Sequence, residues 1–132
     1  MYKIIINGSR RFLNYAYLRI IVKQFVIDHH IDPKDIEIIS GGAEGADTLA
    51  IRFAHEYNLK LTIMYPDWNK NGKRAGIIRN IDMLDYAMYD SEDIPILISF
   101  WDGKSRGTKH LIDECTSRGV EVCLNYVGGM IN

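Results

Sequence analysis

The sequence predicts a single α/β domain: a doubly wound sheet of about five mainly parallel strands in the order 3-2-1-4-5, with helices on both faces. Three observations lead there. Short β-branched runs alternate with segments of helical period along the whole chain. The runs are continuously apolar rather than alternating, which suits strands buried on both faces of a parallel sheet. Each of the first four runs also ends in a glycine- or proline-bearing loop that hands over directly to a helical pattern, as right-handed strand–helix–strand crossovers require. No repeat, low-complexity tract or linker divides the 132 residues, so residues 1–132 are read as one domain, large enough to bury a core without staples.

The first strand reads Tyr2-Lys3-Ile4-Ile5-Ile6-Asn7 and ends at Gly8-Ser9-Arg10. From Asn14, a plausible cap, the period changes: Tyr15, Leu18, Ile21, Val22, Phe25 and Val26 recur at helical spacing until Asp32-Pro33. Ile36 to Ile39 is the second strand, closed by "SGGAEGAD", after which Leu49, Ala50, Phe53, Ala54 and Tyr57 mark one face of a second helix. Leu59 to Tyr65 is the third strand, stopped by Pro66. Beyond the polar stretch "PDWNKNGKRAG", Ile77, Ile81, Leu84 and Met88 follow helical spacing again. Ile94 to Trp101 makes the fourth strand, with Pro95 tolerable near its start. Thr108 is expected to cap the last helix, which runs through Leu111, Ile112 and Cys115 to Gly119 at the C′ position. Val120 to Val127 is the fifth strand.

Composition excludes several classes. Lys+Arg 16 against Asp+Glu 17 gives a net charge of -1, which argues against gripping long nucleic acid through a general basic field and leaves small anionic ligands open. Cys115 and Cys123 form no C-x-x-C pair and read as reduced thiols. No stretch has the form of a leader or approaches the length of a membrane span, so a cytoplasmic protein with no membrane partner is expected. The four histidines do not combine with carboxylates at ligand spacing, and no metal and no cofactor is expected. The apolar helix faces are numerous enough to permit a homo-oligomer.

In an open α/β sheet, ligands bind beyond the carboxyl ends of the strands, where strand order reverses. The unusual residues of this chain fall there. Gly8, Ser9 and Arg10 follow the first strand; Gly41, Gly42, Ala43, Glu44, Gly45 and Asp47 follow the second. Trp68, Lys73, Arg79 and Asn80 follow the third; Trp101, Gly103, Ser105, Arg106, Gly107 and Thr108 follow the fourth. Glycine lets backbone approach a ligand, helix N-termini favour anions, and arginine binds phosphate oxygens in bidentate fashion. Trp68 and Trp101 are candidates to stack on a base, although tryptophan is as readily core. Glu44 and Asp47 are the catalytic candidates. They are equally suited to accept ribose hydroxyls, and Asp47 to be only a favourable charge at a helix start. Arg79 and Thr108 are expected on opposite sides of one anion, and Gly42 is expected to press against the ligand.

"GSR", "SGGAEGAD", "W…GKRAGIIRN" and "WDGKSRGT", in this order and spacing, resemble the small stand-alone YspA-like branch of the SLOG superfamily, named for the DNA-processing protein DprA and the cytokinin-activating phosphoribohydrolases. The resemblance covers nearly the whole chain and implies a Rossmann-like fold that binds nucleotides or nucleotide-derived molecules. Gly103 to Thr108 is similar to that superfamily's P-G-G-x-G-T phosphate-binding element. In the hydrolytic branch a catalytic glutamate follows three residues after the threonine; here that position is Leu111, which neither activates water nor stabilises an oxocarbenium ion.

The leading expectation is therefore a protein that binds a signalling nucleotide or an ADP-ribose-like molecule as a sensor or sequestering module. The enzyme alternative is a nucleoside-phosphate N-glycosidase that uses Glu44 or Asp47 in place of the missing glutamate. The third is a single-stranded DNA-binding protein, against which the near-neutral charge speaks.

Overall fold

A computed structural model describes residues 1–131. Five strands form one sheet: β1 (Tyr2–Gly8), β2 (Ile36–Ser40), β3 (Lys60–Ile63), β4 (Ile94–Trp101) and β5 (Glu121–Tyr126). Their order is β3-β2-β1-β4-β5, and every neighbouring pair is parallel, so the predicted doubly wound, Rossmann-like architecture holds in full. The helices are α1 (Tyr15–Asp28), α2 (Ala46–Glu56), the single turn α3 (Trp68–Asn71), α4 (Ala75–Met88) and α5 (Arg106–Ser117).

The pleat explains why the central strands carry no polar face. Ile4, Ile6, Ile38, Ile96, Ile98 and Phe100 point to one side, where Leu18, Val22 and Phe25 of α1 and Leu49, Ala50 and Phe53 of α2 cover them. Ile5, Ile39 and Leu97 point to the other, against Met83, Leu84 and Ala87 of α4 and Leu111 and Cys115 of α5. Both faces are thus buried, and the alternation of the pleat is hidden in a run of isoleucines.

The structure revises several local expectations. Ser105, not Thr108, caps α5: its hydroxyl accepts the Thr108 N–H at 3.4 Å, and the helix starts at Arg106. Strand β3 is shorter than the apolar run that announces it, and the stretch after Pro66 contains α3, capped by the Asp67 carboxylate on the Lys70 N–H at 3.0 Å. Gly119 follows α5 with φ of 74°, as expected of a C′ glycine. No helix among the described residues is long and apolar enough to cross a membrane.

One polar cluster interrupts the α4 face. Lys3, Glu37 and Lys60 lie side by side on β1, β2 and β3, and the Glu37 carboxylate is wholly buried there. It accepts hydrogen bonds from the hydroxyls of Thr62 (2.6 Å) and Tyr86, and pairs with Lys60 at 3.2 Å. Burial alone would push its pKa up; the two hydroxyls and the two lysines outweigh that and hold it below the usual carboxylate range.

Candidate functional site

Strand order reverses between β1 and β4, whose C-terminal ends pair through Asn7 with Ser99 and Gly8 with Phe100. A glycine is mandatory at position 8: a Cβ there would lie 2.3 Å from the Phe100 carbonyl oxygen. The chain leaves β1 through the Ser9 N–H, which donates to that same carbonyl at 2.9 Å. This crossing point is the floor of a cleft of about 360 Å³, lined by residues from all four loops that the sequence singles out, or from the helices they start.

One wall is the start of α2. Gly45 has φ of 76°, and a Cβ on it would strike the backbone of Ser9 and Arg10, so the β2–α2 loop packs directly on the β1–α1 loop. The Ala46 N–H donates to the Ser9 carbonyl at 3.2 Å and fixes the contact. Asp47, only 6% exposed, accepts the Ala43 N–H at 3.1 Å. Its burial pushes its carboxyl pKa up to about 6, a rise that the Ala43 N–H and the guanidinium groups of Arg79 and Arg10 restrain but do not cancel.

The opposite wall is the start of α5. Asp102 accepts the N–H groups of Lys104 and Ser105, both at 2.8 Å, and the Ser9 hydroxyl at 3.4 Å. Burial opposes its charge, but these donors prevail and keep its carboxyl below the ordinary range. Thr108 is buried, with its hydroxyl 3.0 Å from that of Ser105. Asn7 sits beneath: its amide nitrogen reaches the Thr108 carbonyl at 3.5 Å, while its Oδ1, like the neighbouring Ser99 hydroxyl, is buried with no hydrogen-bond partner among the described residues.

Arg79 and Asn80 join the walls. Arg79 donates through Nη1 to the Gly41 carbonyl and through Nε to the Asn80 side-chain oxygen at 3.1 Å. That contact fixes the Asn80 amide, whose nitrogen donates to the Gly107 carbonyl at 3.1 Å and meets His110 Nδ1 at 3.2 Å. Arg79 is thus committed to the fold on two sides, and its guanidinium fills the space that a Gly41 side chain would need. Arg10 differs. It is exposed, lines the same cleft and makes no ion pair or side-chain hydrogen bond among the described residues.

Beyond Arg10, Ala43 and Arg79 the cleft continues into a second depression of about 550 Å³, lined also by Gly42, Glu44, Tyr65, Pro66 and Trp68. The two depressions bring together Gly8, Ser9, Arg10, Gly42, Ala43, Glu44, Asp47, Trp68, Arg79, Asn80, Ser105, Gly107 and Thr108 of the predicted site. Gly41, Gly45, Lys73, Trp101, Gly103 and Arg106 line neither. Trp101 donates its indole N–H to the Ser105 carbonyl at 3.1 Å and braces the loop instead of offering a stacking face in the cleft. Lys73 and Arg106 are exposed elsewhere. Gly103 takes a φ of 83° beside Tyr126.

Sequence reading missed Asn7, Arg11, Met83, Asp102, Tyr65 and Pro66. Asn7 and Asp102 carry a signal that was there to use: each is a polar residue immediately beyond an apolar strand run, on the two strands that flank the switch point. Tyr65 carries none, since it reads as the end of a strand.

No family model matches the chain, and no solved structure matches it significantly. The Gene 61 protein of Mycobacterium phage D29 is 30% identical over 128 residues, covering 92% of this chain and 94% of that protein. With that identity across nearly the whole length of both, the chain belongs to the same family as this phage protein.

Proposed function

We propose that this protein binds a phosphorylated nucleotide or nucleotide-derived molecule in the crevice at the switch point, as a sensor or sequestering module. Arg10 carries the reading: an uncommitted guanidinium that follows Ser9 and lines the same cleft as Ser105, Gly107 and Thr108 at the start of α5. A cation beside a helix N-terminus favours an anion, and a guanidinium binds phosphate oxygens two at a time. The resemblance to the SLOG superfamily, which rests on these same loops, supports the nucleotide class.

Binding is preferred to hydrolysis because Leu111, where the hydrolytic branch carries glutamate, is 0% exposed in the core that α4 and α5 form with the sheet. One observation favours the enzyme reading: Asp47, with its carboxyl pushed up to about 6 in the cleft, is a group suited to hand a proton to a departing base near neutral pH. Calorimetric titration with nucleoside 5′-monophosphates and the parent nucleosides tests the proposal. Binding of the phosphorylated forms, weakened about tenfold or more by Arg10→Ala, supports it. Equal affinity of the variant and the parent protein overturns the role of Arg10, and chromatographic release of free base at turnover replaces binding with hydrolysis.

A further inference from the structure

We infer that the second depression is a nucleobase subsite that selects bases carrying an exocyclic amino group, with Tyr65 and Trp68 as its stacking surfaces and Glu44 as its reading group. This rests on the nucleotide reading above and adds the orientation and the identity of the ligand's ring.

Two large aromatic side chains stand at this depression, Tyr65 67% and Trp68 52% exposed, on either side of Pro66 and Asp67. Two large aromatics that line one depression together are an exposed patch rather than scattered surface residues, and a π-face against a base is sequence-tolerant stacking surface. The position of Tyr65 is built in. Gly42, at φ of 72°, lies against the ring so closely that a Cβ would be 2.3 Å from Cε1, so the tyrosine packs directly on loop backbone. Glycine alone has both the backbone freedom and the room that this contact requires, and the ring it supports stays 67% exposed.

Glu44 supplies selectivity. It is exposed, lines the same depression and forms neither an ion pair nor a side-chain hydrogen bond among the described residues. A carboxylate accepts and does not donate, so at a ring edge it favours amino groups and repels ring carbonyls. Arg10 and Arg79 line both depressions. The ring therefore lies on the Tyr65 side and the phosphate on the α5 side, with Arg10 between them.

The test compares adenosine, guanosine and inosine 5′-monophosphates with ribose 5-phosphate, by calorimetry, on the parent protein and on Glu44→Ala, Trp68→Ala and Tyr65→Phe. Inosine monophosphate keeps the ring and the phosphate and lacks the amino group. Support is an inosine form about tenfold weaker than at least one amino-bearing form, a difference abolished in Glu44→Ala, and ribose 5-phosphate insensitive to Trp68→Ala. Tyr65→Phe, which keeps the ring over Gly42, retains the ranking. Nucleotides that bind without discrimination, or with discrimination that Glu44→Ala leaves intact, overturn this inference and leave nucleotide binding standing. Failure of every nucleotide and of ribose 5-phosphate to bind overturns both.

Discussion

Asp47→Asn should make the ligand-free protein more stable at neutral pH and not at acid pH. Asp47 is buried at the head of α2, and its carboxyl lies at about 6 when folded against an ordinary 3.8. The gap corresponds to about 3 kcal/mol between its two protonation states. Its sign follows from proton counting. Between about pH 4 and pH 6 the folded chain keeps a proton on Asp47 that the unfolded chain has released, so stability falls as pH rises through that window. Above it the buried charge is carried in full. An asparagine keeps the acceptor for the Ala43 N–H and carries no charge. The variant should therefore gain about 2–3 kcal/mol at about pH 7.5 and nothing at about pH 4. Urea denaturation of both proteins across that range measures the difference, and carboxylates common to both cancel from it. A variant less stable than the parent at neutral pH, or a difference that does not vary with pH, would refute the reasoning. In that case Arg79 and Arg10 compensate the charge more fully than its burial allows.

Arg79→Ala should cost about 2–3 kcal/mol in the same assay, because it strips a charge-assisted hydrogen bond from the Gly41 carbonyl; stability equal to the parent would mean that Arg79 is not tied to the loop. Glu37→Gln should cost about 1–3 kcal/mol, since it removes the charge that the Thr62 and Tyr86 hydroxyls and Lys60 are arranged to meet, while Lys3 keeps Asp93. Because the Glu37 carboxyl is held low in the folded chain, its stabilisation is present above its ordinary 4.5 and lost as pH falls, so the variant's acid-unfolding curve should be shallower than the parent's. Gly45→Ala should cost about 2–4 kcal/mol from a left-handed backbone and a collision with Ser9 and Arg10, whereas Gly107→Ala, with open space at its Cβ, should be neutral or stabilising by up to about 1 kcal/mol. Thermal denaturation of the last two variants checks the contrast, and equal effects would count against it.

The fold was legible because its signals are local and repeated. Ile4, Ile5 and Ile6 suit a strand buried on both faces, and the handover from "SGGAEGAD" to the α2 pattern marks a strand end and a helix start within a few residues. Alternation of elements and the crossover rule point to a doubly wound parallel sheet but leave more than one strand order open, and the order 3-2-1-4-5 expected from the sequence is the one the sheet adopts. The site was legible as far as loop membership and no further. The sequence favours Arg79, beside Asn80 on the α4 pattern, over Arg10 as the anion ligand, whereas the structure ties Arg79 to the fold and leaves Arg10 without a partner among the described residues. What separates them is a carbonyl, Gly41, that lies 38 residues from Arg79 along the chain. The cap of α5 failed for a related reason: Ser105 and Thr108 are both good caps, and the choice was made by Asp102, which draws the Lys104 and Ser105 N–H groups into a turn before the helix begins. Leu111 shows the reverse, a position whose lack of chemistry was plain from its side chain alone.

The glycines and charges of the crevice divide by what already satisfies them. Gly8 is explained by the Phe100 carbonyl, Gly41 by the Arg79 guanidinium and Gly45 by the Ser9 backbone, so none of the three needs a ligand to account for it. Arg79 and Asp102 are likewise occupied, the one with Gly41 and Asn80, the other with two backbone N–H groups and the Ser9 hydroxyl. These groups make the crevice rigid by packing its loops on one another. What the fold does not explain is a different set: Gly107, with open space where its side chain would be; Arg10 and Glu44, with no partner among the described residues; and Asp47, buried at a cost. All four line the two depressions, and they come from three separate loops or helix starts. A surface selected only for folding would discard Asp47 first, because a neutral residue there is the more stable choice. The proposed ligand, an anion that also brings hydroxyl donors, would give Asp47 and Arg10 the partners that the fold does not supply.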